Sequence, residues 1–120
     1  MRNRRDFHRV TQPVTGRYRL SNQIVAPWTS ITIINLSAGG LRFRGEELLE
    51  QDAPIEVETH VPGMSAVLFV KGRVAWSSLQ ASGVTETGVQ FLDVTIEQKF
   101  RIDKMVEFLR STAPPPQADA

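Results

Sequence analysis

Hydrophobic and polar residues alternate over most of the chain in short runs, and this alternation predicts β-strands. Segment 55–61 (IEVETHV) places Ile55 and Val57 on one face, and segment 40–44 (GLRFR) alternates apolar residues with arginines. Four other runs have strand character: VTGRYRL at 14–20, TSITIINL at 29–36, VLFVKGRVAW at 67–76 and GVQFLDV at 88–94. Prolines and glycines separate the runs at the spacing of an all-β barrel or sandwich. Because no helix intervenes, we expect antiparallel pairing.

The period of the pattern changes after the last of these runs. Thr95 and Gln98 have the spacing of a capping box. Apolar residues then recur with helical spacing at Ile102, Met105, Val106 and Leu109. This predicts one helix from about residue 96 to about residue 110, with its apolar face buried against the sheet, because an isolated helix of that length is marginal in water. The polar, proline-rich tail at 111–120 is expected to be disordered.

A chain of 120 residues is long enough for one domain with one core. We predict an all-β domain over residues 13–110, a barrel or sandwich of about six antiparallel strands with a C-terminal helix, preceded by an arginine-rich segment at 1–12. The sequence has no cysteine, which excludes disulfides and thiolate chemistry. Its apolar runs are far shorter than the roughly 18 residues of a membrane span, and no secretory signal is recognisable. We therefore expect a cytoplasmic protein that does not insert into a membrane.

The net charge of +1 conceals a strong asymmetry. Residues 1–44 contain eight arginines and one aspartate, a net charge of +7, whereas the remainder contains six basic and twelve acidic residues, a net charge of −6. Arginine also outnumbers lysine, 11 to 3. A GC-rich genome would account for that ratio but not for the clustering. The clustering favours an anionic partner at one face of the domain.

Candidate catalytic residues are few. His8 and His60 are the only histidines, and no nucleophile-elbow, zinc-protease or phosphate-loop motif occurs. The adjacent carboxylates Glu46 and Glu47 lie in a polar stretch and are interpreted as solvated surface. We therefore expect neither an enzyme nor a metal site.

The stretch INLSAGGLRFR contains a candidate binding turn. Asn35 and Ser37 are short polar residues at the end of an apolar strand, and Gly39 and Gly40 follow them. Glycine permits a positive φ or a close approach of the backbone to a ligand. Taken alone, the stretch is better described as a tight turn in which Asn35 and Ser37 bond to their own backbone.

Two motifs together resemble the PilZ domain, a bacterial receptor module for the second messenger cyclic di-GMP. The first is R-x-x-x-R at Arg5–Arg9, and the second is N-x-S-x-x-G at Asn35–Gly40. Their order and spacing, the later strands GRVAW and GVQF and the terminal helix extend the resemblance over residues 4–110. The resemblance implies a PilZ-like, six-stranded antiparallel β-barrel with one C-terminal helix that binds cyclic di-GMP.

The resemblance also implies roles for individual residues. Arg5 and Arg9 are expected to bind the guanine edge and phosphate of the ligand, because an arginine fork matches the O6 and N7 acceptors of guanine. Asn35 and Ser37 would supply polar contacts, and Gly40 would let the turn approach. Many family members have aspartate at the position of Asn35. The missing negative charge is expected to weaken the affinity for the ligand without changing which ligand is bound.

Two further residues are candidate ligand contacts. In the family, an arginine at the position of Arg4 adds a stacking surface for a second ligand molecule; a generic basic residue is the alternative. Trp76 ends the strand GRVAW and is placed to flank a guanine, whereas an aromatic residue at a strand end is more often part of the core.

The predicted function is that of a receptor or adaptor that couples cyclic di-GMP binding to a surface change read by a downstream effector protein. One alternative is an RNA- or single-strand-DNA-binding barrel, but one tyrosine and two tryptophans are few for base stacking. A nucleic acid partner is therefore not expected. The other alternative is a degenerate PilZ domain that binds only a protein, for example a pilus-assembly factor.

Overall fold

The computed structural model describes residues 14–61, 63 and 65–111. Six antiparallel strands close into a barrel and one helix follows them. The elements are β1 (Val14–Leu20), β2 (Thr29–Leu36), β3 (Gly40–Gly45), β4 (Pro54–His60), β5 (Val67–Leu79), β6 (Thr85–Leu92) and α1 (Ile96–Ser111). Around the barrel the order is β1-β2-β3-β6-β5-β4. The predicted six-stranded barrel with a C-terminal helix is confirmed.

The alternating apolar residues of the strands form the core inside the barrel. Phe43, Val57 and Leu68 are completely buried, and the ring of Tyr18 stacks on that of Phe43 with 5.4 Å between centroids. The phenol of Tyr18 donates a hydrogen bond of 2.6 Å to the carboxylate of Glu47. Burial, and then the hydrogen bond and charge of Glu47, raise the pKa of Tyr18 well above its ordinary value. The phenol is therefore held in its protonated form.

The capping box predicted for the helix is formed. The backbone N–H of Thr95 donates to Oε1 of Gln98 at 2.8 Å, and the N–H of Gln98 donates to Oγ1 of Thr95 at 3.0 Å. The side chain of Gln98 also donates to the carbonyl of Phe69 in β5 at 2.6 Å. Ile102 and Met105 are completely buried. The apolar face of α1 thus completes the core, as the sequence predicts.

The two ends of the barrel differ. At the helix end lie the β2–β3 turn, the connection from β4 to β5, and the link from β6 to α1. At the other end, here called the loop end, lie the connections 21–28, 46–53 and 80–84. Within the described residues, no helix is long and apolar enough to cross a membrane. The predicted arginine segment at 1–12 and the tail beyond Ser111 lie outside the described residues.

Candidate ligand-binding cleft

A cleft of about 320 Å³ lies on the outer surface between the β2–β3 turn and the strands β5 and β6. It brings together four of the predicted site residues, from segments up to 41 positions apart in sequence: Asn35, Ser37, Gly40 and Trp76. The other lining residues are Gly39, Leu41, Arg42, Ala75, Gly88, Val89 and Gln90. Concave surfaces of this kind are the usual binding sites for small ligands.

The β2–β3 turn is fixed by backbone hydrogen bonds. The N–H of Ser37 donates to the carbonyl of Gly40 at 2.9 Å, and its hydroxyl donates to the same oxygen at 3.4 Å. The N–H of Phe91 in β6 donates to the carbonyl of Gly39 at 2.9 Å. Ser37 therefore does bond to its own turn. Asn35 is exposed, and its side chain makes no hydrogen bond within the described part of the chain.

Gly40 is required by close packing between strands. It pairs with Gln90 of β6, and a Cβ at position 40 would overlap the carbonyl oxygen of Val89. Its φ is not positive, since the described glycines with positive φ are Gly63 and Gly83. The expected close approach at Gly40 is thus made by the neighbouring strand.

Two β-bulges direct predicted site residues into the cleft. Between Val74 and Trp76 the strand β5 advances two residues while its partner advances one, so Trp76 pairs with Gly88 and faces outward. The corresponding shift in β2, between Ile33 and Asn35, turns Asn35 outward. Without these bulges, Trp76 and Asn35 would point to the same face as the buried residue two positions earlier.

Trp76 is a surface residue whose ring lies against the backbone of Gly88. A Cβ at position 88 would overlap Nε1 of the indole ring. The tryptophan remains 41% exposed, which excludes the alternative that it belongs to the core. Its position leaves aromatic surface available to a planar ligand.

Arg42 is a lining residue that the sequence reasoning did not identify. It pairs with Asn35 across the β2–β3 ladder and is exposed. Among the described lining residues it carries the only charge, so the cleft is electropositive. The alternation in GLRFR contains the necessary signal, because it places Arg42 on the outer face next to the Asn35 turn.

Arg4, Arg5 and Arg9 lie outside the described residues. The chain that follows them enters the barrel at Val14, which pairs with Ile33 of β2. Ile33 is two residues from Asn35, so β1 begins beside the strand that leads into the cleft.

A larger recess of about 730 Å³ is lined mainly by residues of β1, β2, β3 and β4. No predicted site residue lines it within the described part of the chain. Its arginines are already paired, Arg17 with Glu58 at 2.6 Å and Arg44 with Glu86 at 3.2 Å. The smaller, electropositive cleft is therefore the better candidate for an anionic ligand.

Comparisons with known proteins agree with the fold and the motifs. The family model described as PilZ domain matches residues 3–109. The structure titled "PilZ domain with c-di-GMP of YcgR from Escherichia coli" aligns with a TM-score of 0.64 at 14% identity, covering 92% of this chain and 97% of that one.

A second solved structure, the PilZ domain of CeSA from a cellulose-synthesizing bacterium, aligns with a TM-score of 0.60 at 14% identity, covering 84% of this chain and 96% of the other. A comparison with curated protein sequences finds no match. Because the family model covers most of the sequence, the assignment does not depend on structural likeness alone. The chain belongs to the PilZ domain family.

Proposed function

We propose that this protein is a cyclic di-GMP receptor that binds its ligand between the arginine-rich segment at 1–12 and the cleft. The observation that carries the proposal is that Asn35, Ser37, Gly40 and Trp76 line one cleft. The YcgR domain with the same fold is described with c-di-GMP. The proposed receptor acts by binding and does not catalyse a reaction.

The chemistry of the cleft suits a guanine nucleotide. One guanine stacks on the exposed ring of Trp76, and Arg42 lies on the same surface to neutralise a phosphate. The free amide of Asn35 donates or accepts at the edge of the base. Arg5 and Arg9 then close over the ligand with their bidentate guanidinium groups, and Arg4 offers a further stacking surface.

An RNA-binding barrel is a weaker explanation of the same residues. Trp28, the second tryptophan, lies beneath the guanidinium groups of Arg17 and Arg19, each 4.5 Å from its ring centroid. Its aromatic surface is thus engaged, which leaves Trp76 as the available tryptophan platform. A single-strand-binding surface needs several such platforms along a groove, whereas one platform in a small cleft suits a compact ligand.

The proposed receptor has an adaptor role. Cyclic di-GMP held between a terminal segment and the barrel changes the surface around the cleft, and a downstream effector protein reads that change. A PilZ domain that binds a protein without the nucleotide would lack this dependence on ligand.

Isothermal titration calorimetry with cyclic di-GMP tests the proposal, with GTP and a short single-stranded RNA as competitors. We expect saturable binding of cyclic di-GMP that excess GTP or RNA does not displace. Absence of heat with cyclic di-GMP, or displacement by the RNA, would contradict the proposed function.

A further inference from the structure

We propose that the loop end of the barrel is a docking surface for a partner protein, and that the partner presents a short segment rich in basic and apolar side chains. The surface, here called the loop patch, consists of Leu48, Leu79, Val84, Glu46 and Glu50. Leu48 and Leu79 are 62% and 65% exposed, and Val84 is exposed as well. This goes beyond nucleotide binding, because the loop patch shares no residue with the cleft.

Hydrogen bonds hold the apolar members of the loop patch together. The hydroxyl of Thr85 donates to the carbonyl of Glu47 at 3.1 Å, and the N–H of Leu49 donates to the hydroxyl of Ser77 at 3.1 Å. Leu48 lies between these two anchors. Thr85 pairs with Leu79 and directly follows Val84 in the chain. Leu48, Leu79 and Val84 therefore lie on three segments that are brought together around Thr85.

The loop patch is held in place before any partner binds. The carboxylate of Glu47 accepts the hydrogen bond from the buried phenol of Tyr18 at 2.6 Å, next to Leu48. The hydroxyl of Ser77 is itself bonded to that of Thr87 at 2.8 Å. An exposed leucine on a fixed segment loses little conformational entropy when a partner covers it, which is the condition for a useful docking residue.

The charges at this end define the chemistry of the partner. Four arginines of the adjoining strands are already neutralised: Arg17 by Glu58, Arg19 by Glu56, Arg44 by Glu86 and Arg73 by Asp52. Arg42 of β3 lies in the cleft instead. Glu46 and Glu50 are exposed and have no ion pair within residues 14–61, 63 and 65–111. The loop patch thus combines apolar surface with unpaired negative charge, which attracts lysine and arginine and repels an anionic membrane.

A second exposed apolar pair provides a contrast. Ile96 and Phe100 lie one turn apart on α1, 90% and 53% exposed. The charges around this pair have both signs: Glu97 is paired with Arg101 at 3.2 Å, and the ammonium group of Lys104 lies 5.6 Å from the ring centroid of Phe100. This pair therefore lacks the unpaired negative charge of the loop patch. Ile96 and Phe100 are therefore the matched control for the loop patch.

The probe for the test is a short synthetic peptide that alternates leucine and lysine, with a leucine–glutamate peptide as the charge-reversed control. Each is titrated into the full ¹⁵N-labelled chain, with and without cyclic di-GMP, and amide shifts are recorded. We expect the leucine–lysine peptide to shift the amides of 46–50 and 79–85 saturably in both states. The leucine–glutamate peptide should leave them unchanged.

Variants then connect the binding to the side chains. Leu48→Ser with Leu79→Ser should weaken peptide binding by about tenfold or more, since a few central apolar residues carry most of an interface energy. Glu46→Gln with Glu50→Gln should reduce the salt dependence of the affinity. Ile96→Ser with Phe100→Ser should leave the affinity unchanged. Thermal melting confirms that each variant is folded.

Several results would overturn the proposal. These are equal affinity for wild type and the Leu48→Ser, Leu79→Ser variant, shifts centred on α1, or a dimer in analytical ultracentrifugation that this variant abolishes. Binding to anionic lipid vesicles through the loop patch would also overturn it. Because the titration is repeated without cyclic di-GMP, a protein that fails to bind the nucleotide still gives a decisive result for the loop patch.

Discussion

Trp76 lies directly across from Gly88 on the neighbouring strand, and its indole ring covers the backbone where a side chain at position 88 would stand. The missing side chain of Gly88 lets the indole ring lie against the backbone of β6, and the bulge between Val74 and Trp76 turns the ring outward. One glycine and one bulge thus create the aromatic wall of the cleft.

Gly88→Ala should therefore weaken cyclic di-GMP binding. The new methyl group overlaps Nε1 of Trp76 and displaces the ring. Loss of one aromatic–base stack costs about 1–3 kcal/mol, so we expect an affinity loss of about tenfold in calorimetry. Trp76→Ala should have the same effect, and the double variant should lose no more than either single one. Additive losses would show that Gly88 acts independently of the ring.

Gly40→Val should strongly destabilise the pairing of β3 with β6, because a Cβ at position 40 overlaps the carbonyl oxygen of Val89. We expect a loss of about 1–3 kcal/mol in the free energy of unfolding by denaturant titration, which is typical of overpacking, and loss of nucleotide binding with it. Gly39→Ala is the control: nothing lies within 4 Å of a Cβ there, so stability should be close to wild type. A stable Gly40→Val protein with normal affinity would mean that the turn is remote from the ligand.

Arg5→Ala and Arg9→Ala should each abolish measurable cyclic di-GMP binding. A hydrogen bond to a charged group contributes about 1.5–3 kcal/mol, and a bidentate contact contributes more. Both residues precede β1, which begins at Val14, so the melting temperature should not change. Arg2→Ala, outside the R-x-x-x-R motif, serves as the charge control and should retain most of the affinity. If either motif variant binds within about twofold of wild type, less than ~0.5 kcal/mol, the arginine clamp is wrong.

Tyr18 should resist ionisation as long as the protein is folded. Exposed tyrosine ionises near pH ~10, whereas burial and Glu47 raise the pKa of Tyr18. The folded state therefore binds a proton that the unfolded state releases, so this contribution to stability is present below about pH 10 and declines as the pH rises above it.

Phenolate absorbance measures this directly, because Tyr18 is the sole tyrosine of the chain. The signal should appear together with loss of the β-sheet circular dichroism at alkaline pH, and not before it. In Tyr18→Phe, stability at neutral pH should fall by about 1–2 kcal/mol through loss of the bond to Glu47. Ionisation in the intact fold near pH ~10 would contradict the burial of the phenol.

The strand pattern predicts the barrel well because inward and outward residues alternate with little interruption. Phe43 and Val57 are buried where the alternation places them, and α1 begins at the capping box of Thr95 and Gln98. These features depend on local sequence. Closure of the sheet by pairing of β1 with β4 depends on contacts between distant segments, and the pattern alone is compatible with a barrel or a sandwich.

The candidate site was less predictable because it depends on two bulges. A strict period of two places Trp76 on the same face as the buried Val74, and only the register shift after Val74 reverses this. The family resemblance predicts Asn35 as a ligand contact, and the position of Trp76 at the end of GRVAW predicts it as another. The resemblance identifies neither Arg42, which pairs with Asn35, nor Gly88, which makes room for the ring of Trp76.

The fluorescence of Trp76 during a cyclic di-GMP titration tests the central claim most directly. The chain has two tryptophans, so a Trp28→Phe variant leaves Trp76 as the sole indole while keeping an aromatic ring beneath Arg17 and Arg19. A guanine stacked on Trp76 should quench and shift its emission saturably, at the concentration where calorimetry records binding, and GTP should not reproduce the change. Calorimetric binding of cyclic di-GMP with unchanged Trp76 emission would place the ligand outside the cleft and contradict the account.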